Sequence, residues 1–137
     1  MNTLLDGWSP KVLSILRLVT ALVYMEHGTM KLLHFPQALP GLSEPLPVPF
    51  LIAGLLEAVG GSLLTIGLFT RSVAFILSGE MAVVYFFGHA NQGPYPVLNG
   101  GEASALDCFI FFYLVFAGPG LWSVDALLEQ RRRHFKR

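Results

Sequence analysis

Arg17, Thr20, Tyr24, His27 and Lys31 recur at steps of three and four residues. On a helix that spacing lines them along one side, so an otherwise apolar segment carries a polar seam. Gly28 lies on the same side as Tyr24, whereas Glu26 projects about 100° away from His27. Further apolar segments hold Glu57, Glu80 and Asp107, with Glu102 just before the last and His89 closing the second. Acids, imidazoles and phenols held out of water can relay protons, hydrogen-bond a polar ring such as a quinone, or ligate a metal. The metal version has the least support, because di-iron bundles use paired Glu-x-x-His helices and none occurs here. Phosphate-loop, dinucleotide and nucleophile-elbow motifs are absent as well.

The elements that must position these groups follow from composition. Of the 137 residues, 53% are apolar and only 13% charged, against about 25% charged in soluble domains. Residues 12–30 and 48–68 are long apolar runs, and 72–90 and 103–121 match them in length with scattered small or polar residues. A bilayer-crossing helix needs roughly 20 such residues. The expected fold is therefore an all-α integral membrane protein, one domain over 1–137, with an antiparallel bundle of four transmembrane helices. Residues 11–30 read as a span rather than a cleaved signal, since no A-x-A site follows. The single cysteine, Cys108, excludes an intramolecular disulfide and a CxxC motif.

Charge sets the expected topology. Lys11, Arg17, Arg71 and the tail "RRRHFKR" fall on one side, leaving only Lys31 of nine Lys and Arg residues near the other. The positive-inside rule then places both termini in the cytoplasm. The outward loops "HFPQALPGLSEPLPVP" and "GHANQGPYPVLNGGE" are rich in proline, glycine and asparagine. After "GPG" stops the fourth span, Ser123 caps an amphipathic segment, "SVDALLEQRRRHF", with Asp125 near its start and arginines near its end. Over residues 122–137 this tail suits a membrane surface, with Trp122, Leu127 and Leu128 on the lipid and the arginines on anionic headgroups. No nucleic-acid partner is expected.

Glu57 stands in the middle of "PFLIAGLLEAVGGSLLTIGLFTR". Gly54, Glu57, Ala58, Gly61 and Thr65 share one face, opposite Ile52, Leu55, Leu56, Val59, Leu63 and Ile66. Small residues permit close helix approach, so Glu57 points at neighbouring helices. Such an acid costs ~2.5–3.5 kcal/mol on insertion scales and either serves function or only assembly. Glu80 has no small-residue stripe and needs a partner from another helix. Glu102 and Asp107 also suit a simple helix start, and Arg17 and Lys31 suit snorkelling ends. Projected together, Glu26, His27, Lys31, Glu57, His89 and Asp107 fall in the outer half or near the midplane, with Glu80 deeper, around an outward-facing pocket.

The pieces "EAVGGSLLTIGLFTR", "NGGEASALD", "GPGLWSVD" and "HGTMKL", in this order and spacing, resemble the DoxX family of small four-span membrane proteins. The resemblance covers nearly the whole chain after the first ten residues. It implies a bacterial or archaeal cytoplasmic-membrane protein. Some members are subunits of thiosulfate:quinone oxidoreductase, and another is associated with a membrane complex for oxidative and thiol stress. Glu57, Arg71, Asn99 and Glu102 match the family's polar positions. With no cysteine pair, autonomous thiol chemistry is not expected.

The resulting expectation is a membrane subunit of a redox or stress-related system whose polar pocket takes a quinone. Glu57 is its central acid, and His27 and Glu80 are the proton-exchanging or ring-binding groups. Glu26, Tyr24, His89, Asn99, Glu102 and Asp107 line the pocket, Gly54 and Gly61 pack the helices, and Arg71 anchors the inner surface. The partners are the bilayer and other redox subunits. A second reading is a non-catalytic scaffold that docks proteins through its loops and basic tail. A third is a small transporter, which four spans accommodate only as a homo-oligomer.

Overall fold

A computed structural model describes residues 5–135. Lys136 and Arg137, the end of the expected basic tail, lie outside the described residues. Among the described residues all regular structure is helical: α1 (Ser9–Leu32), α2 (Val48–Ile66), α3 (Thr70–Val83), a short α4 (Pro96–Asn99), α5 (Glu102–Ala117) and α6 (Val124–Phe135). Helix α3 does not stop at Val83. It continues through a π-helical stretch, Val84–His89, and a 3-10 turn, Ala90–Gln92.

α1 packs along α2 and α3 along α5, whereas α2 and α3 touch much less. Both closely packed pairs are antiparallel. A Cβ added at Gly28 would lie 2.5 Å from the Ala58 nitrogen and 2.8 Å from the Gly54 oxygen, while one at Gly61 would meet Met25 and the Ala21 carbonyl. Ascending numbers on α1 thus meet descending numbers on α2. In the other pair, Ser78 Oγ donates to the Cys108 carbonyl at 2.9 Å, and Arg71 reaches Val115 and Phe116. Ala21, Leu64, Ala74, Leu77, Phe111 and Leu114 fill the interior between the pairs.

The end holding the chain's tail is closed by side chains that satisfy helix termini. The buried Arg17 guanidinium donates to the carbonyls of Leu64, Thr65 and Trp122. It therefore covers the last turn of α2, whose carbonyls have no helical partner. Gly67 ends that helix at φ 69°, with the Leu68 N–H returning to the Leu63 carbonyl, the pattern that favours glycine. Arg71 Nη1 donates to Val115 O at 2.5 Å and Phe116 O at 2.7 Å, so the expected surface anchor covers the end of α5. The Asp125 carboxylate accepts from the Phe69 and Thr70 N–H groups at 2.9 and 2.8 Å and so caps α3. Ser123 Oγ accepts from Ala126 N at 3.1 Å, capping α6.

Two findings revise the sequence expectation. Arg17 is not a snorkelling end; it is 1% exposed and bound to backbone. The fourth helix stops at Ala117 rather than near 121, because Gly118 takes φ 85° and Pro119 follows. At 1.5 Å per residue it is about 24 Å long, short of the ~30 Å hydrocarbon layer. Among the described residues, Val48–Ile66 and Thr70–Gln92 are by length and composition apolar enough to cross a membrane.

The α1–α2 contact generates a test. Valine at Gly28 must displace backbone, so Gly28→Val should cost about 1–3 kcal/mol, the usual range for overpacking. Nothing lies within 4 Å of a Cβ at Gly79, so Gly79→Ala should unfold at the same or a slightly higher temperature, alanine being favoured over glycine inside a helix by up to about 1 kcal/mol. Thermal unfolding in detergent reads both; equal behaviour of the two variants would contradict the packing.

Candidate functional site

The polar seam of α1 turns inward and meets an acid from each of the other three long helices. Lys31 forms an ion pair with Glu57 of α2, their side chains only 10% and 4% exposed. Removing water from one of these charges alone is expensive, so each requires the other. Lys31 is therefore not a snorkelling end either. It reaches Glu57 because Gly54, without a side chain, lets the Lys31 Cβ approach α2.

Two turns deeper on α1, Tyr24 is 1% exposed, and its hydroxyl donates to Glu80 Oε2 of α3 at 2.8 Å. Its ring meets Phe111 edge-on at 4.8 Å between centroids. This hydrogen bond supplies the partner that the sequence around Glu80 lacks. The other oxygen, Glu80 Oε1, is buried and has no hydrogen-bond partner. Such an atom is uncommon and calls for a specific explanation.

Glu80 also lines a groove of about 670 Å³ between α2 and α3. Pro49, Phe50, Ala53, Leu56, Val83 and Phe87 form its walls, with Gly79 and Gly88 opening the α3 side. Glu80 is the only ionisable residue in the lining. The groove exists because α2 and α3, although joined by a short turn, give most of their packing to α1 and α5. Pockets that hold small molecules have this character, with apolar walls and few polar groups.

The remaining expected residues divide by position. His27 is exposed on α1, about one turn toward the loop end from Tyr24. Asp107 of α5 is half-buried, one turn before Phe111, whose ring packs against Tyr24. Tyr24, His27, Glu57, Glu80 and Asp107 thus belong to one cluster. Glu26 is exposed and stands apart from it, and Glu102 is exposed in the first turn of α5.

His89 and Asn99 organise the far loop instead. His89 Nδ1 lies 3.0 Å from the Asn99 carbonyl, and the Asn99 side chain donates to Gly93 O and accepts from Gly101 N, each at 2.8 Å. Sequence reasoning did not identify the groove walls or the Lys31–Glu57 pair. The pair had a signal, the continuation of the α1 seam to Lys31; the groove had only the bare Gly79 beside Glu80. Among the described residues no group of three or more His, Cys, Asp and Glu side chains is arranged to hold a metal.

Residues 12–90 match the DoxX family model. A Haemophilus influenzae protein named only as uncharacterized is 45% identical over 129 residues, covering 91% of this chain and 96% of its own. A Mycobacterium tuberculosis protein named as an uncharacterized membrane protein is 31% identical over 143 residues, covering 93% of this chain and 88% of its own. No solved structure matches. The family match takes in α1 to α3, including Tyr24, His27, Glu57 and Glu80, and with it the chain belongs to the DoxX family.

Proposed function

We propose that the chain is a multi-pass protein of the prokaryotic cytoplasmic membrane, four helices crossing as an antiparallel bundle with both termini inside. The distribution of surface supports this reading. Val19, Ile52, Val59, Phe75, Phe109 and Phe116 point outward, each more than half exposed, while Arg17, Lys31 and Glu57 lie inside. Water disfavours that arrangement, and lipid requires it. Lys11, Arg71 and the three consecutive arginines of α6 stand at or beyond the capped end, as a cytoplasmic face would have them.

Within this bundle the α2–α3 groove holds the ring of a lipid-soluble quinone, with Glu80 as its hydrogen-bonding group. The observation that carries the reading is the unpartnered Glu80 Oε1 beside an apolar groove. Depth narrows the ligand class. Glu80 is the eleventh of 23 residues from Thr70 to Gln92, hence about 15–18 Å from either end of that helix. A phospholipid headgroup stays at the interface, whereas a compact uncharged ring can occupy the middle of the bilayer. The chain would then serve as the membrane subunit of a redox or oxidative-stress system, with the exposed α6 available to a partner subunit.

Two measurements test this reading. In inside-out vesicles an added protease should remove the α6 tail, and in right-side-out vesicles it should leave the tail intact; the reverse pattern contradicts the topology. A short-chain quinone analogue should bind the protein in nanodiscs. Glu80→Leu should weaken it about tenfold, the worth of a hydrogen bond of ~1.4 kcal/mol, and Gly79→Phe should block it by filling the groove. Binding unchanged in both variants contradicts the site.

A further inference from the structure

The cluster reaches two faces of the molecule. On one face Glu80 lines the α2–α3 groove. On the other, His27 is exposed and Asp107 half-buried, where α1 approaches α5. Tyr24 stands between them, hydrogen-bonded to Glu80 and packed against Phe111, one helical turn after Asp107 on α5. Position along the helices orders the groups by depth. His27 lies five residues before the end of α1 and Asp107 five after the start of α5, each about 7.5 Å below the loop end. Tyr24 is eight residues from the end of α1, about 12 Å in.

Toward the capped end no such ladder continues. Below Tyr24 the buried interior is Ala21, Leu64, Leu77 and Leu114. The hydroxyls at this level are those of Thr20, of Thr65, bonded to the Gly61 carbonyl, and of Ser78, bonded to the Cys108 carbonyl. No acid or imidazole stands between Tyr24 and Arg17 on α1. Arg17 is the next charged group, and it is committed to carbonyls. The groups facing Glu80 are Tyr24 and Lys31 from α1 and Glu57 from α2; α5 adds Asp107, one turn before the Phe111 that packs against Tyr24. Lys31 is bound by Glu57, which leaves Tyr24 as the contact able to pass a proton to Glu80.

We infer that Tyr24, Asp107 and His27 form a proton path joining Glu80 in the groove to the water at the loop end alone. A proton taken up at His27 passes to Asp107, and from there through entering water to the Tyr24 oxygen. The hydroxyl's own proton moves at the same time to Glu80 Oε2. The reverse sequence releases a proton to the same side and restores Tyr24. The inference rests on the reading of Glu80 as the groove's working group but requires no bound ring. Tyr24 is a positioning and relay residue, and Glu80 is the group that meets the ligand.

A hydrophobic carbodiimide tests it without quinone. A protonated carboxyl adds across the reagent's C=N bond, its proton passing to nitrogen, and an oxygen-to-nitrogen acyl shift then leaves a stable N-acylurea. The reagent enters from lipid, and peptide mass spectrometry reads labelling at Glu80. In sealed right-side-out and inverted membrane vesicles, with a pH difference maintained, labelling should fall several-fold when the loop-end compartment is made alkaline. It should be unaffected by alkalinity on the tail side alone. Tyr24→Phe and Asp107→Asn should slow this response at least several-fold, while Glu80 remains reactive. Labelling that follows the tail side or both sides equally, that is absent at every pH, or that responds as fast in Tyr24→Phe would overturn the path. Loss of quinone binding with this response intact would instead remove only the ring assignment.

Discussion

Lys31 and Glu57 neutralise each other in an interior that tolerates neither alone, and much of the architecture follows from that requirement. For the ammonium to reach the carboxylate, α1 must face its polar seam inward and approach α2 closely. Gly28 against Gly54 and Ala58 makes the approach possible, because any side chain there would overlap backbone. Once α1 is so placed, Tyr24 is delivered to Glu80 on α3 and to Phe111 on α5. One helix thus supplies the partners for acids on its neighbours. A buried charge left without its partner costs several kcal/mol, which makes this register strongly specified.

The opposite end of the bundle obeys the same logic with backbone groups in place of carboxylates. Carbonyls at the ends of α2 and α5 face Arg17 and Arg71, and the first N–H groups of α3 face Asp125. Each cap joins segments distant in sequence, so the C-terminal helix is fixed to the turn between α2 and α3. That end is closed by these contacts. The loop end, by contrast, lets α2 and α3 diverge, and the groove opens there. The cluster and the groove share a single side chain, Glu80. In the proposed reading a ligand in the groove meets the polar interior only through the Glu80 side chain, and the remaining charges stay away from the lipid-facing walls.

Much of this was legible in the sequence, for identifiable reasons. Helical spacing exposed the α1 seam and the Glu57 stripe, since a period of 3.6 residues fixes which side chains share a face. The all-helical fold followed from apolar run lengths. What spacing cannot give is which face meets which neighbour. Arg17 and Lys31 sit near helix ends, where long cations ordinarily reach for water; only the tertiary arrangement places carbonyls beside one and Glu57 beside the other. The same limit hid the partner of Glu80, because Tyr24 lies 56 residues away. His89 and Asn99 carried a plausible chemistry by type, yet they are occupied in shaping a loop. The groove had almost no sequence signal, being defined by what two helices leave unfilled.

The central claim is that Glu80 faces a lipid-accessible groove and meets a ligand there with its free oxygen. The most direct measurement is an experimental structure of the protein in lipid nanodiscs supplied with a quinone. The account predicts density between α2 and α3, its polar end within hydrogen-bonding distance of Glu80 Oε1 and its apolar part along Phe50 and Phe87. A closed α2–α3 interface, with Glu80 Oε1 bonded to another residue of the protein, would contradict it.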